Sequence, residues 1–374
     1  MRPTLAVNAI FFANGIGWAS WASRLPAITE KLSLGEGALG LSLLGATAGL
    51  FVASAVTTVL VLRFGSRSVT LLAGVAMCAV LPVIGLAPAP VVFAAALIAY
   101  GMSNGAFDLA SNAQGVIVER AAGRSLMSGF HAFFSAGAIT GAASAALISA
   151  AQVPVETHLP IVGGILAVVV VAARPGLLGH AAGDEQAGPV LAWPGRALLG
   201  IAALAFCVLL AEGAVFDWSA VYLNDVAGAP QAVAALGLAV FQAAMMIGRL
   251  AGDRVAARLG ADVLVRGGAA VGGIGFATAL AAPSVPAVFI GYVLLGLGLA
   301  ASFPLAMSAA SRIRSVATPV ALGATTAAGY TGFVVGPPLI GLIGEGTSLR
   351  VGLSVVLACL AAAVILASSL RVRG

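Results

Sequence analysis

Residues 91–115 read VVFAAALIAYGMSNGAFDLASNAQG. Asp108 is the only charged side chain in that stretch. About 20 apolar residues in a helix cross the hydrocarbon core of a bilayer, so the run is long enough to span one and carries too little charge to face water. A carboxylate in the middle of such a run must be paired, hydrated or protonated. The stretch therefore predicts a membrane helix with a polar site inside it.

The same pattern recurs on both sides of this run. Apolar runs fall at 4–23, 38–62, 68–87, 91–115, 126–150, 159–174, 197–222, 232–251, 263–282, 286–310, 318–343 and 350–370, the sixth being the shortest. Pro88-Ala89-Pro90, Pro154, Gly228-Ala229-Pro230, Pro283 and Pro286 punctuate them as turns. Of the 374 residues, 61% are hydrophobic and 8% charged, and the mean hydropathy is +1.10. A soluble domain carries roughly 25% charged residues, so the solvent implied for this surface is lipid. The 48 glycines suit helices whose backbones approach closely in a membrane.

The net charge of +5 is not a nucleic-acid signal. The basic residues stand at the ends of apolar runs rather than in a patch with interleaved aromatics, which is a topology pattern. With the N-terminus placed in the cytoplasm, fifteen of the eighteen Arg and Lys residues fall on the cytoplasmic side, leaving Arg24, Lys31 and Arg350 outside. Cys78, Cys207 and Cys359 lie singly within apolar runs, which supports neither a disulfide framework nor a zinc site. No cleavable signal peptide stands out before the first run.

These observations predict an all-α polytopic membrane protein of about twelve transmembrane helices. The expected organisation is a six-helix half over 1–175, a cytoplasmic linker over 176–196 and a second six-helix half over 197–374, with both termini in the cytoplasm of a bacterial inner membrane. Two pairs of segments hint at a parallel repeat. Ala13-Asn14-Gly15 in run one matches Ala211-Glu212-Gly213 in run seven, and Arg63-Phe64-Gly65 after run two matches Arg258-Leu259-Gly260 after run eight. Repeats related by an axis along the membrane normal mark one large class of secondary transporters.

The loop after run eight reads Gly248-Arg249-x-x-Gly252-Asp253-Arg254-x-x-x-Arg258-x-Gly260. It resembles the repeated cytoplasmic loop motif of the major facilitator superfamily, and the resemblance in topology covers essentially the whole chain. The copy after run two keeps Arg63, Gly65 and Arg67 but has Leu62 where the motif has Asp. Three further segments resemble the branch of fucose:proton symporters and their bacterial relatives. They are Phe11-Phe12 through Trp21-Ala22-Ser23-Arg24-Leu25-Pro26, Phe107-Asp108-x-x-x-Asn112, and Glu212-Gly213-Ala214-x-x-Asp217-Trp218-Ser219. In those symporters the acid on helix four and the Asn four residues later are functional, which implies roles for Asp108 and Asn112. Ala22 stands where they carry an Asp on helix one.

The polar residues inside the runs are the site candidates. Asn104, Asp108 and Asn112 recur every four residues, so they share a helix face. That face could line a wet cavity and bind a proton and substrate, or could hold a structural carboxylate against neighbouring helices. His131 in run five could relay protons with Asp108, since an imidazole titrates near pH ~6.5, or could make an interhelical contact. Glu212 is the cavity candidate of run seven. Asp217 lies about 140° around the helix from it, and Asp217 with Trp218 reads as an outer gate or a membrane-interface anchor. Asn14 and Trp18 share a face of run one, beside Trp21, which could belong to an aromatic belt. Gln242 is a weaker candidate on run eight. Arg249, Asp253, Arg254 and Arg258 read as a charge latch for gating, or as ordinary topology-setting charge.

The expected function is secondary active transport of a small solute, as proton-coupled symport of a sugar-like neutral substrate by rocking of the two halves. A proton-driven exporter of small organic molecules is the alternative. The sequence has no HExxH or nucleotide loop, and its GxSxG, Gly101-Met102-Ser103-Asn104-Gly105, lies inside apolar run four rather than at a strand-to-helix turn, so neither an enzyme nor an ATP-driven pump is expected. No cofactor and no metal is implied. The expected partners are a small-molecule substrate, protons and the bilayer, and the superfamily resemblance implies a monomer.

Overall fold

In a computed structural model, residues 2–123, 126–179, 198–313 and 318–371 are described. Nearly all of them are helical: α1 Pro3–Ala22, α2 Leu25–Leu32, α3 Glu36–Phe64, α4 Ser66–Leu86, α5 Pro90–Ala122, α6 Met127–Ala150, α7 Val155–Ala173, α8 Leu199–Val221, α9 Gln231–Ala234, α10 Leu236–Leu259, α11 Ala261–Ala281, α12 Val285–Leu299, α13 Ser302–Ala310, α14 Thr318–Gly346 and α15 Leu349–Leu366. Among the described residues, eleven helices are long and apolar enough to cross a membrane. Of the twelve apolar runs, α1 is the one outside that set, its hydropathy diluted by Asn8 and Asn14. Leu72 (74%), Leu147 (74%) and Ile365 (73%) are largely exposed, as lipid-facing side chains are.

Two helices run well past their apolar stretches into charged sequence. Run eight, expected to end at 251, continues as α10 to Leu259. The loop motif is therefore mostly helical, and its turn is confined to Gly260. Arg and Ala are good helix formers, so leaving the apolar region does not end the helix. Run four likewise extends to Ala122, and run six begins a turn early, at Val155. Run eight opens as the short α9, broken from α10 at Ala235. Run ten is broken at Ala300 and Ala301. The expected linker falls largely on 180–197, outside the described residues.

The chain forms two compact units. The first comprises Met1–Leu34, Leu41–Ala187 and Gln231–Ala239, and the second Gly35–Gly40, Gly188–Pro230 and Val240–Gly374. In the first, α1 packs along α6 so closely that a Cβ on Gly15 would strike the Phe134 carbonyl oxygen, and one on Gly137 would strike that of Phe12. Gln114 is fully buried and ties three segments of this unit together. Its Nε2 donates to Ser66 Oγ and to the Leu178 carbonyl, each at 2.8 Å, and its Oε1 accepts from the Leu178 N–H at 3.0 Å. In the second unit α8 packs along α14 in the same manner. A Cβ on Gly332 would strike the Phe206 carbonyl oxygen, and Gly213 lies against the Phe333 ring.

The repeat is visible in the backbone. Gly65 precedes α4 at φ 77°, ψ 148°, and Gly260 precedes α11 at φ 91°, ψ 147°. That region is essentially closed to side chains with a Cβ. Both glycines donate to the carbonyl four residues back at 2.9 Å, Gly65 to Val61 and Gly260 to Ala256. The two matched loop tripeptides thus end in the same turn, and the matched tripeptides of α1 and α8 each place their glycine at the tight interface of its unit.

Candidate functional site

In the first unit, α1 and α5 bring Asn14 and Asp108 together. Asn14 Nδ2 donates to Asp108 Oδ1 at 3.4 Å, a long bond. Asp108 is half-buried and has no ion-pair partner among the described residues. Asn14 (2% exposed) and Asn104 (4%) are buried, and the Oδ1 of each lacks a hydrogen-bond partner among the described residues. Leaving a buried acceptor unsatisfied costs about 1–3 kcal/mol, so these oxygens favour any ligand that donates a hydrogen bond. Asn112 Nδ2 is committed to its own helix, donating to the Asp108 carbonyl at 2.9 Å.

Aromatic rings extend this cluster along α1. Trp18, half-buried, lies 5.9 Å from Trp21 and 6.0 Å from Tyr100, centroid to centroid, and Trp21 meets Tyr100 edge-on at 5.6 Å. Trp21 and Tyr100 are wholly buried, so the belt position considered for Trp21 is corrected: packing against α5 holds the ring inside the unit. His131 is exposed and sets its ring edge-on against Phe11 at 5.2 Å, while the hydrogen bond to Asp108 comes from Asn14.

In the second unit Glu212 sits mid-way along α8, 8% exposed, and its Oε1 lies 3.4 Å from Arg249 Nη2 on α10. Arg249, read from sequence as a latch residue, reaches the intramembrane acid of its own unit. Gln242, on the same helix, is 2% exposed, and its Oε1 has no partner among the described residues. Asp217 is 5% exposed and has neither a hydrogen bond nor an ion pair among the described residues. Trp218 is wholly buried. A membrane-interface anchor needs its ring at the surface, so that expectation for Trp218 is corrected as well. Arg254 and Arg258 are exposed on α10, and the Asp253 side chain lies outside the described ones.

Sequence reasoning did not single out the Arg249–Glu212 contact. The available signal was an arginine inside run eight that had been counted with its flanking charges. Each unit therefore holds polar groups within its spanning helices: Asn14 beside Asp108 in the first, and in the second the Glu212–Arg249 pair, with Gln242 Oε1 elsewhere on α10 without a partner among the described residues.

No family model matches the chain. It is 36% identical over 347 residues to an uncharacterized MFS-type transporter of Yersinia pestis, covering 93% of this chain and 90% of that one. It is 34% identical over 355 residues to an uncharacterized transporter of Sinorhizobium fredii (94% and 93% covered), and 30% identical over 363 residues to the membrane protein MosC of Rhizobium meliloti (95% and 88%). Among solved structures, the nucleoside transporter NupG is similar with a TM-score of 0.78 at 14% identity, covering 99% of this chain and 98% of that one. A bacterial homolog of the human lysosomal transporter Spinster has a TM-score of 0.72 at 15% identity, with 98% and 95% covered. At such low identity the structures speak to fold alone. The identity to the Yersinia protein, sustained over nearly the whole chain, decides the matter: this chain belongs to the MFS-type transporters, multi-pass membrane proteins of the major facilitator superfamily.

Proposed function

We propose that this transporter carries a small, neutral, hydroxyl-rich solute together with a proton, by alternating access. The observation that carries the proposal is Asp108: a half-buried carboxylate in a spanning helix, with one long hydrogen bond from the Asn14 amide and no basic partner among the described residues. An acid in that setting is expected to exchange a proton during the cycle. The buried Oδ1 atoms of Asn14 and Asn104 and the Oε1 of Gln242 are acceptors in want of donors, which hydroxyl groups supply. The half-buried face of Trp18 suits the apolar face of a sugar ring. Glu212 brings its own counter-ion in Arg249, so the second unit's cluster is suited to a neutral ligand.

In the proposed cycle, protonation of Asp108 lets substrate bind, and release of both resets the carrier. Gly260 and the charged end of α10, with Asp253, Arg254 and Arg258, act in gating. The setting is a bacterial inner membrane with both termini in the cytoplasm, and the working unit is a monomer. The test is uptake into proteoliposomes under an imposed pH gradient, with a panel of sugars, polyols and nucleosides. Accumulation driven by an inward proton gradient in wild type, and lost in Asp108→Asn, supports the proposal. Accumulation with unchanged pH dependence in Asp108→Asn removes the proton role.

Asp217 favours a second reading. A buried carboxylate with no counter-ion among the described residues is also a receptor for an organic cation, and exchange of such a cation for protons would make the protein an exporter. Counterflow of a labelled hydrophobic cation, abolished in Asp217→Asn, would favour that direction.

A further inference from the structure

The Ser23-Arg24-Leu25-Pro26 segment plays no part in the proposed transport cycle, yet it holds an unusual charge. Pro26 falls in the first turn of α2, and the chain breaks between α1 and α2 at Ser23 and Arg24. Arg24 is 4% exposed. Its Nη2 donates to the Val153 carbonyl at 2.9 Å, but Nε and Nη1 are buried without a partner among the described residues. Beside it in the chain, the Ser23 hydroxyl is also buried and unpartnered. His158, in the first turns of α7, is 1% exposed, and neither ring nitrogen has a partner among the described residues.

These groups converge on one place. The carbonyl that Arg24 holds, Val153, lies two residues before the first residue of α7, so the guanidinium is anchored at the positive end of that helix dipole. Its charge bears on both His158 and Glu156. The acid whose charge bears on it is already engaged: Glu156 Oε1 pairs with Lys31 Nζ at 2.9 Å, and Lys31 also donates to the Gly85 carbonyl at 2.9 Å. Glu30, on α2, is exposed and accepts from Gln231. Arg24 is thus a buried cation with two idle donor nitrogens and, among the described residues, no carboxylate at hydrogen-bond distance. Such a charge is very costly unless something satisfies it.

We propose that the α1–α2 junction binds a small inorganic anion of the chloride class, held by the Arg24 guanidinium, the Ser23 hydroxyl and a His158 ring N–H at the N-terminal end of α7. Arg24, Ser23 and His158 are all at least 96% buried, so the site favours a monatomic ion over an organic acid. The bound ion joins the end of α1 to the start of α7, and so fixes the first helix of the transporter against the sixth spanning segment.

The test is thermal unfolding of the full-length, detergent-purified protein, with chloride titrated into sodium gluconate at constant ionic strength. A ligand bound only by the folded state raises the melting temperature by mass action. The expected result is a saturable rise with chloride in wild type, absent in Arg24→Gln, with Ser23→Ala and His158→Gln each weakening chloride about tenfold or more. If Arg24→Gln does not fold, the other two variants and the chloride NMR linewidth of the wild-type protein give the same readout. Identical melting in chloride and gluconate would overturn the proposal in favour of bound water, as would an unchanged chloride response in Arg24→Gln or in both milder variants.

Discussion

Arg249 Nη2 lies 3.4 Å from Glu212 Oε1, joining the middle of α8 to the charged end of α10 within one unit. The pair links a residue of the charged loop motif directly to an acid within a spanning helix. Removing one partner of a fully buried pair costs about 3–5 kcal/mol. The Arg249 side chain is 38% exposed, so a smaller loss is expected here. Glu212→Ala and Arg249→Ala should each depress transport, whereas the swap Glu212→Arg with Arg249→Glu should recover part of it. Initial uptake rates of the four proteins form a double-mutant cycle. Strictly additive losses, with no recovery in the swap, would show that the two residues act separately.

Asn14 and Asp108 should separate by degree. Asp108→Asn removes the proposed proton carrier and should abolish accumulation against a gradient, while counterflow, which needs no net proton movement, persists. Asn14→Ala removes one long hydrogen bond to a charged group, worth about 1.5–3 kcal/mol at ordinary length and less at 3.4 Å. The expected result is substrate affinity weakened severalfold with pH dependence retained. A pH profile abolished in Asn14→Ala as completely as in Asp108→Asn would place the proton on the pair rather than on the acid.

The contact of α1 with α6 should tolerate no added carbon. A Cβ on Gly137 would strike the carbonyl oxygen of Phe12, a backbone atom that cannot swing aside. Gly137→Ala should therefore destabilise by at least the ~1–3 kcal/mol typical of overpacking. Gly164 on α7 is the control, since a Cβ there meets nothing within 4 Å. Gly164→Ala should hold or slightly raise the melting temperature, because alanine is the better helix former. Equal melting of the two variants would refute the close approach.

The apolar runs were legible because lipid tolerates so few charges, and the matched tripeptides announced the repeat that Gly65 and Gly260 complete in their backbone angles. Helix ends were less legible. Arg254 and Arg258 stop an apolar run but not a helix, so α10 passes through the expected loop. Partners were the least legible. Hydropathy marks Asp108 and Glu212 as anomalous without saying that one meets an asparagine ninety-four positions away and the other an arginine on α10. Aromatic position was left open between two readings for a related reason. Trp21 and Trp218 near run ends suit a membrane belt, but burial depends on neighbouring helices that hydropathy does not see.

The first helix poses the sharpest question of topology. Eleven helices meet the length and hydropathy of a membrane span among the described residues, and α1 is not one of them. If α1 stays out of the membrane, an odd number of crossings puts the two termini on opposite sides. If it crosses, they share a side. Three features favour crossing. Asn14 reaches Asp108 in the middle of α5, α1 packs against α6 at Gly15, and Asn14 is 2% exposed, so one of the two asparagines that dilute its hydropathy is turned inward. Hydropathy averaged over a helix counts those side chains as though they met lipid. Alkaline phosphatase fusions decide the point, since the enzyme is active only outside the cytoplasm. Gly123 and Gly228 are suitable sites, each at positive φ with nothing within 4 Å of an added Cβ. The expected pattern is activity at Gly228 and none at Gly123 or Gly374, with the basic residues inside. Activity at Gly374 with none at Gly123 would give the segment between them an odd number of crossings and break the two-by-six arrangement. A reporter placed ahead of Pro3 and found outside, with Gly123 inside, would show that α1 does not cross.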